Sequence, residues 1–435
     1  MPVTKFRYVN TVQKLNFLRK IHIRMEIGMI DLYTDGHHIP YAARTKQALE
    51  KVSEHDIKFI TISETERCKE WFSTEELVFL KDPESPRTRE RETDFDEFAE
   101  SVISELFSTK HHKSYDVLHF LFADDILGPL FRHARASGGP RIVGELNGVF
   151  FERKTPLRQE PAHRLFLTLL KSPVGDVIER AIPDHTEHEQ LWRDFHLYRC
   201  IKENVFDQII THSIEANKYV NDLNKEGRQQ ITRIPYPAPL DFGTDLTKIE
   251  ARNELDLPSE APILLFFGTL RADKGINRLL RTLQHYEGPE FIMYIAGPPI
   301  DVTREQVQSI QAASEVNIIT ELGYVDTPEV YFRAADAIVL PYAREFGKEC
   351  TSQTLEEASS SLLPVIVPDF GAVGRVTKEW NLGMTYRKQS DDALEGALAE
   401  FARDGVSYSE KKMQEYNRLH SYEEAATRLY NVYKE

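Results

Sequence analysis

Cysteine is scarce in this sequence, with Cys68, Cys200 and Cys350 the only three among 435 residues. So few cysteines in so long a chain argue against a disulfide framework and for a reducing compartment. The three are far apart and lack the spacing of metal ligands. We therefore expect a cytoplasmic protein without structural disulfides, and we interpret Cys350 as a bystander beside Glu349.

Long apolar runs are also missing. No stretch approaches the roughly 20 apolar residues that a membrane-spanning helix needs, and the first residues lack the apolar core and cleavage site of a secretory signal. The start of the chain is nevertheless basic, because six cations precede the first acid, Glu26: Lys5, Arg7, Lys14, Arg19, Lys20 and Arg24. Residues 5–24 could form an amphipathic helix that contacts anionic lipid at the inner face of a membrane. The alternative, which we favour, is an extension packed on its domain.

The chain as a whole has no excess of basic residues. Its 54 Lys and Arg against 69 Asp and Glu give a formal net charge of −15, which argues against a general nucleic-acid binder. The 41% hydrophobic and 28% charged residues are ordinary for a soluble globular protein. A length of 435 residues predicts two or three domains.

Apolar runs of strand length alternate with helical patterns along most of the chain, which predicts α/β domains with parallel sheets. The segment 234–239 contains three prolines and can continue neither a helix nor a central strand. We therefore predict two doubly wound domains, residues 1–238 and 239–417, that join at this segment. The clearest predicted strands are 21–30, 57–62, 116–122, 141–146, 206–211, 262–267, 291–296, 317–320 and 337–342.

The most informative stretch follows the apolar run 337–342. A loop leads into a helix predicted from about Ser352, and a second buried strand follows at 364–367. Glu349 stands before this helix and Glu357 stands inside it. Because a helix N-terminus offers unpaired N–H groups and a positive dipole end, it suits phosphate oxygens. With carboxylates beside it to accept hydrogen bonds from hydroxyls, the pattern predicts a site for a sugar joined to a phosphate.

A glycine turn follows the predicted strand 262–267 and carries two cations. Gly268 begins the turn, and Arg271 and Lys274 lie within it. The pattern is neither a Walker loop nor a GxGxxG dinucleotide loop. By itself it is a glycine turn with two cations at a strand end, which could be two exposed basic residues; its phosphate role is what the family resemblance described below implies.

Glu349 and Glu357 are separated by seven residues, and Pro364-Val365-Ile366 closes the following strand. This stretch resembles the signature of the retaining glycosyltransferases of family 4, which have the GT-B fold. It departs from that signature at Ser360-Ser361-Leu362, where a small residue, cysteine and glycine are usual. The resemblance implies two Rossmann-like domains facing across a cleft, with a helix at about 418–435 crossing back to the first domain. It also implies transfer of a sugar from a nucleoside diphosphate sugar to a hydroxyl of a glycan, lipid or small molecule, with retention of configuration.

The resemblance assigns roles on the donor side of the cleft. Glu349 would hold the donor sugar, and Glu357 would accept hydrogen bonds from the ribose hydroxyls. Arg271 and Lys274 together would bind the diphosphate, although Thr269 stands where the family commonly has arginine. The further residues expected to bind the donor are Gly268, Ser352, Gln353, Thr354, and, beside the base, Tyr324 and Val325.

The same resemblance places acceptor and sugar-side residues in the first domain. The loop after the first strand carries Gly36, His37 and His38, which resembles one version of the family's acceptor loop. His119 lies in a predicted strand and Asn147 follows another. A histidine often occupies the latter position in the family, and asparagine cannot titrate near neutral pH.

We expect neither a cofactor nor a metal. No Asp-x-Asp pair stands near the two cations or the 349–357 stretch, and the cations already oppose the diphosphate charge that Mg²⁺ would neutralise. His185 and His188 have a spacing that could suit a metal, but no third ligand accompanies them. Two alternatives stay open, namely a nucleotide-sugar epimerase or hydrolase of the same fold, and a catalytically silent subunit that binds a nucleotide sugar.

Overall fold

The chain folds into two α/β domains, as the alternating pattern predicts. The computed structural model describes residues 24–33, 37–62, 65–80, 92–108, 110–134, 139–147, 168–169, 189–224, 227–343, 350–387 and 390–435. The predicted site residues Gly36 and Glu349, the His185 and His188 pair, and the basic segment 5–24 apart from Arg24 lie outside these ranges.

The first domain is built on a seven-stranded sheet. Its order is β3-β2-β1-β4-β5-β6-β7 with all neighbours parallel. The strands are β1 (Glu26–Ile30), β2 (Asp56–Thr61), β3 (Leu77–Phe79), β4 (Val117–Phe120), β5 (Arg141–Leu146), β6 (Gln208–Thr211) and β7 (Gln230–Arg233).

The helices described in the first domain complete two apolar layers, one on each face of this sheet. Both faces are covered, which explains why the strands are continuous apolar runs rather than alternating ones. The helices are α1 (His38–Val52), α2 (Glu66–Trp71), α3 (Glu92–Ser108), α4 (Leu127–His133), α5 (Glu189–Lys202) and α6 (Ile214–Leu223).

The second domain repeats the design with a six-stranded parallel sheet of order β10-β9-β8-β11-β12-β13. Its strands are β8 (Ile263–Phe267), β9 (Ile292–Ala296), β10 (Asn317–Glu321), β11 (Ala337–Val339), β12 (Val365–Pro368) and β13 (Gly383–Tyr386). Its helices are α7 (Lys248–Glu254), α8 (Ile276–Gln284), α9 (Arg304–Ala313), α10 (Pro328–Ala334), α11 (Gln353–Ser360), α12 (Gly371–Trp380), α13 (Asp391–Asp404) and α14 (Glu410–Leu419).

Local side-chain chemistry starts many of these helices. A serine or threonine at the N-cap accepts a hydrogen bond from a backbone N–H of the first turn, which satisfies a donor that has no helical partner. The caps of this kind include Thr65, Ser213, Thr247, Thr303, Ser352, Ser390 and Ser409.

The chain crosses between the domains twice, and the two crossings run side by side. The predicted boundary between residues 238 and 239 lies in the first crossing, where the Ala238 N–H donates to the His420 carbonyl at 2.6 Å. After the second crossing, helix α15 (Tyr422–Lys434) packs into the first domain's core beside α1. These paired backbone segments connect the two domains, and we refer to them below as the hinge.

One boundary near the predicted site differs from the expected one. Helix α1 begins at His38, so this histidine belongs to a helix rather than to a loop. Pro40 lies in its first turn, where the missing N–H removes no helical hydrogen bond.

At the end of α11, Leu362 has φ +56°, the left-handed conformation that favours glycine. This conformation accounts for the glycine that is usual at this point of the resembling signature.

Candidate active site

The candidate site lies at the carboxyl edge of the second sheet, where the chain leaves β8 and β11. These two strands are neighbours at the point where the strand order reverses, the place where open α/β sheets bind ligands. The turn after β8 packs against the loop after β11. A hydrogen bond of 2.8 Å from the Ala343 N–H to the Asp273 carbonyl joins them.

Two glycines allow the loops at this edge to pack closely, Gly275 against the end of β11 and Gly297 against the turn after β8. Gly275 has φ +83°, and a Cβ added there would lie 1.9 Å from the Pro341 carbonyl oxygen. Gly297 has φ +141°, and its added Cβ would lie 2.1 Å from the carbonyl oxygen of Gly268. Because no side chain tolerates such contacts, both positions require glycine.

Lys274 faces the first turn of α11 across Gly268. A Cβ placed on Gly268 would lie 3.0 Å from the Lys274 Nζ and 4.0 Å from the Thr354 Oγ1. An ammonium group and a helix N-terminus therefore border the same space. Such a combination suits phosphate oxygens, and the diphosphate role stays a prediction.

Arg271, the second predicted cation, is paired within the turn. Its Nε and a terminal nitrogen donate to the two carboxylate oxygens of Asp273, each at 2.9 Å. The side chains are 20% and 13% exposed. A local carboxylate therefore offsets part of the charge of the Arg271 guanidinium. Asp273 was missed by the sequence prediction, although its position two residues after Arg271 was a usable signal.

The predicted donor residues at the start of α11 divide into two kinds. The Ser352 hydroxyl accepts from the Leu355 N–H at 3.2 Å and bonds the Tyr342 hydroxyl at 2.6 Å. Ser352 is 3% exposed, so its hydroxyl serves the helix start, and the predicted donor contact through the backbone amides of Ser352 to Thr354 stays a prediction. The backbone N–H groups of Gln353 and Thr354 occupy the first turn, where α-helical geometry supplies no acceptor.

Glu357 lies on the same helix, one turn after Gln353. The side-chain amide of Gln353 donates a hydrogen bond of 3.0 Å to the Glu357 carboxylate. Burial raises the pKa of this carboxyl to about 7, and the Gln353 hydrogen bond and the charges of Arg44 and Lys274 oppose that rise. Glu357 therefore lies within electrostatic reach of a cation from each domain.

Arg44, the cation from the first domain, was not predicted as a site residue. It extends from α1, lies 5.2 Å above the Trp71 ring and forms an ion pair with Asp241 beside the hinge. The sequence offers no local signal for this position, since Arg44 and Glu357 lie more than 300 residues apart.

The loop before α11 also touches the first domain. The Cys350 thiol is 3.8 Å from the carbonyl oxygen of Asn147, one of the predicted sugar-side residues. The Asn147 side-chain amide donates to the Leu121 carbonyl, and its backbone N–H donates to Asp124 at 3.1 Å. Asn147 therefore lies at the edge of the cleft, and these bonds fix its orientation.

His119 does not line the cleft. Its side chain is fully buried beneath α15, where Nδ1 lies 2.7 Å from the Tyr433 hydroxyl. Burial lowers the pKa of His119 to about 3, and the nearby His212 lowers it further. The prediction of a sugar-side role for His119 is therefore corrected to a role in the interior.

The predicted base-side residues lie after β10, at the same sheet edge. Tyr324 is 59% exposed, whereas Val325 is half-buried. The guanidinium of Arg67 lies 5.1 Å above the Tyr324 ring. Arg67 belongs to α2 of the first domain, so this cation–π contact is a further meeting of the two domains that local sequence patterns do not indicate.

The described ranges contain no group of three or more His, Cys, Asp or Glu that could hold a metal ion. Nor does any helix within them have the length and apolar character needed to span a membrane. The expectation of a metal-independent reaction stays a prediction.

Comparison with known proteins agrees with this architecture. The chain is similar over 94% of its length to sucrose-phosphate synthase from Thermosynechococcus elongatus, with a TM-score of 0.67, 17% identity and 98% of that chain covered. It is similarly related to Anabaena HepE in complex with UDP-glucose, with a TM-score of 0.65, 11% identity, and 94% and 99% of the two chains covered. The two-domain fold is therefore GT-B.

A family model described as "Glycosyl transferases group 1" matches residues 247–420. The match covers the domain that holds the candidate site. A D-inositol 3-phosphate glycosyltransferase of Nocardia farcinica is 25% identical over 192 residues, which is 42% of each chain. A GDP-mannose:glycolipid 4-beta-D-mannosyltransferase of Xanthomonas campestris is 27% identical over 144 residues, 32% of this chain and 40% of that one. The chain thus spans about two fifths of the length of these curated relatives.

Proposed function

We propose that this protein is a retaining, metal-independent glycosyltransferase of family 4 that moves a sugar from a nucleoside diphosphate sugar to an acceptor hydroxyl. One observation carries the proposal. The Lys274 ammonium and the first turn of α11 meet above Gly268, with Glu357 one turn further along the same helix, in a domain that matches the group 1 family.

The diphosphate side follows from this geometry. When the donor's C1–O bond breaks, its electron pair leaves with the diphosphate, and negative charge grows on the phosphate oxygens. Lys274 and the N–H groups of Gln353 and Thr354 stabilise that charge, which is commonly the largest catalytic contribution. The acceptor oxygen forms the new C1–O bond on the face that the diphosphate left, and its proton passes to the departing phosphate oxygen, so the step balances and configuration is retained.

The remaining donor contacts complete the proposal. Glu357 accepts hydrogen bonds from the ribose hydroxyls, Glu349 holds the donor sugar, and the backbone around Tyr324 and Val325 borders the base. UDP-glucose is the ligand of one similar structure, and GDP-mannose appears in the name of one relative. Both support a nucleotide sugar as donor. The three cysteines are buried, and a reducing cytoplasm suits them.

The first experiment is a thermal-shift panel of UDP, GDP, ADP and their sugars, followed by assays of nucleoside diphosphate release. A ligand at ~100 times its dissociation constant should stabilise the protein by ~2.7 kcal/mol. Because the relatives' names include an inositol phosphate and a glycolipid, the acceptor panel should hold both kinds along with simple sugars.

We expect release of nucleoside diphosphate only when an acceptor is present. Release without any acceptor would favour a hydrolase, and binding without turnover would favour a silent partner subunit. The anomeric configuration of the product, measured by NMR, tests retention directly.

Metal independence is tested by adding excess EDTA to this assay. We expect turnover to change at most modestly, since cations of the protein occupy the phosphate side. Loss of activity that Mg²⁺ or Mn²⁺ restores would show that a metal neutralises the diphosphate, and the role of Lys274 would have to be withdrawn.

A further inference from the structure

A cavity of about 100 Å³ lies at the end of helix α11 that points away from the candidate active site. The helix begins at Gln353, close to Lys274, and ends at Ser360. Since an α-helix rises about 1.5 Å for each residue, its two ends are roughly 12 Å apart. Three segments line the cavity: residues 242–244 after the first crossing of the hinge, helix α10, and residues 360–362. The proposed transfer reaction makes no use of this part of the molecule.

Two serine hydroxyls beside the cavity have no partner. The Oγ atoms of Ser360 and Ser361 are buried and make no hydrogen bond within the described ranges. The preceding Ser359, by contrast, is paired through its Oγ with the Asn417 side chain at 2.7 Å. An unsatisfied buried hydroxyl costs free energy, and such groups are rare unless water or a ligand serves them. Because a serine hydroxyl is redirected by rotation about one bond, these two are available to a molecule bound in the cavity.

The same serines belong to the stretch at which the sequence departs from the family signature. Ser361 and Leu362 stand in place of the usual cysteine and glycine. Leu362 nevertheless keeps the left-handed conformation, with φ +56°, that a glycine adopts freely. Other residues persist in this conformation where the surrounding structure holds them, and such positions cluster at ligand sites. The polar wall of the cavity is therefore a feature of this chain rather than of the signature.

A carboxylate and a guanidinium line the cavity one turn apart on α10. Glu329 forms no hydrogen bond or ion pair within the described ranges, and Arg333 makes only a bond of 3.5 Å to the Thr244 carbonyl there. Because the two charges cancel, the pair selects neither an anion nor a cation. A carboxylate only accepts hydrogen bonds and a guanidinium only donates them, so together they suit hydroxyls, which do both. Phe242 and Leu362 supply apolar lining.

We propose that this cavity binds a single sugar or polyol ring, separately from the catalytic cleft. Neighbouring hydroxyls of the ring donate to Glu329 and accept from Arg333, and its apolar face packs on Phe242. The Ser360 and Ser361 hydroxyls bond the other edge. Apolar lining with a few polar groups is typical of small-molecule sites. An engineered cavity of about 150 Å³ holds benzene, so this smaller cavity takes one ring rather than a chain. Binding here does not depend on the proposed function.

The test fills the cavity in the full-length protein. Gly243 lines it, has a φ outside the left-handed region, and would place an added Cβ with nothing within 4 Å. Gly243→Leu should therefore fold, and its side chain should occupy the cavity. Gly396→Leu is the matched control, because a Cβ on that glycine of α13 also meets nothing within 4 Å and the residue does not line the cavity.

Binding of D-glucose, D-mannose and myo-inositol at millimolar concentrations is measured by saturation-transfer NMR and by thermal shift. We expect at least one of these rings to bind the unchanged protein and Gly396→Leu equally. In Gly243→Leu, Arg333→Ala and Glu329→Gln its affinity should fall by about tenfold or more, the scale of a hydrogen bond to a charged group. Affinity for the sugar nucleotide, measured by titration calorimetry, should be the same in all four variants because the cleft is unchanged.

Two results overturn the proposal. If none of the three rings binds, or if folded Gly243→Leu and Gly396→Leu bind them equally, no ring occupies the cavity. Unchanged ring affinity in Arg333→Ala and Glu329→Gln has the same meaning, should Gly243→Leu not fold. If acetate or the zwitterion glycine binds in place of the rings, and Gly243→Leu abolishes that binding, the cavity takes a charged ligand instead. A lack of transfer with every donor and acceptor would remove the proposed function and leave this site untouched.

Discussion

The two sheet edges that face each other across the cleft carry opposite chemistry. The second domain presents the Lys274 ammonium and the N-terminus of α11. The first presents carboxylates in short hydrogen bonds, including Asp31 to His38 at 2.9 Å and Asp125 to the Tyr33 hydroxyl at 3.0 Å. Two domains with the same strand order at their centre have therefore been given different electrostatic roles.

This difference orients a bound nucleotide sugar. A diphosphate is attracted by the second edge and repelled by the first, so the donor should bind with its phosphates toward the second domain. An uncharged hydroxyl is left for the first edge. The domains are kept in this relation by ion pairs beside the hinge, such as Arg375 with Glu215 at 2.7 Å.

Removal of the cationic edge should have the largest effect. In the double variant Arg271→Ala with Lys274→Ala we expect turnover to fall on the order of 100- to 1,000-fold or more, because the leaving diphosphate loses its charge stabilisation. Each single variant should show part of the loss, because each removes one cation from the turn after β8. Steady-state kinetics of the single and double variants measure how the loss of turnover is shared between the two cations.

Arg281→Ala is the matched control for this series, because that arginine is paired with Asp391 on the outer side of the second domain and should not affect turnover. A double variant that is folded, by thermal denaturation, and keeps most of its activity would contradict the diphosphate assignment and with it the contrast between the edges.

Replacement of the carboxylate on α11 should have an intermediate effect. Glu357→Gln should weaken nucleotide-sugar binding by about tenfold, the scale of a hydrogen bond to a charged group. Since the pKa of Glu357 is about 7, the carboxylate is the main form above that pH, and affinity of the unchanged protein should fall as pH drops through 7. The variant should lack this pH dependence. Titration calorimetry from pH 6 to 8.5 checks both points, and equal affinities throughout would remove Glu357 from the site.

The smallest expected effect concerns the stability of the protein and a buried carboxylate of the first domain, which extends the comparison of the two domains. Burial raises the pKa of Glu145 to about 8 from an ordinary 4.5, and the Tyr41 hydrogen bond opposes this rise. Because the folded state holds this proton more tightly than the unfolded state, stability should fall as pH rises between those values. Glu145→Gln should remove that loss, worth about 1 kcal/mol or more for each pKa unit. Chemical denaturation at pH 6 and pH 9 measures it.

Glu100→Gln is the control for that experiment, because the pKa of Glu100 is lowered by its ion pairs with Arg132 and His133 and no titration of it occurs above pH 6. The lowered pKa values of His119 and His212, about 3 and 4, reduce stability only as pH falls. An unchanged alkaline loss in Glu145→Gln would show that Glu145 does not hold the proton.

The donor side was largely predictable because its features are local in sequence. Gly268, Lys274 and the start of α11 each follow a strand directly, and parallel strands bring their carboxyl ends to one edge. The sequence did not show that the Ser352 hydroxyl accepts a hydrogen bond at the start of its own helix. The prediction also left out Asp273, which forms an ion pair with Arg271.

On the acceptor side the sequence indicated candidate residues but not the contacts that those residues make. His37 and His38 were predicted together, yet it is the contact with Asp31 that distinguishes them. His119 was assigned to the cleft because it lies on a central strand, but α15 returns from the far end of the chain and covers it. A strand's side chains alternate between two faces, and its own sequence does not say which helix will cover each face.

The order of strands and helices, the glycines that close packing requires and the cationic turn after β8 were determined by the sequence, because periodicity and backbone freedom act over a few residues. Only the tertiary structure decided that Arg44 approaches Glu357, that Arg67 stacks on Tyr324 and that His119 is sealed within the core. Those contacts join residues hundreds of positions apart, and they exist because two separately folded sheets meet across one cleft and share one crossing helix.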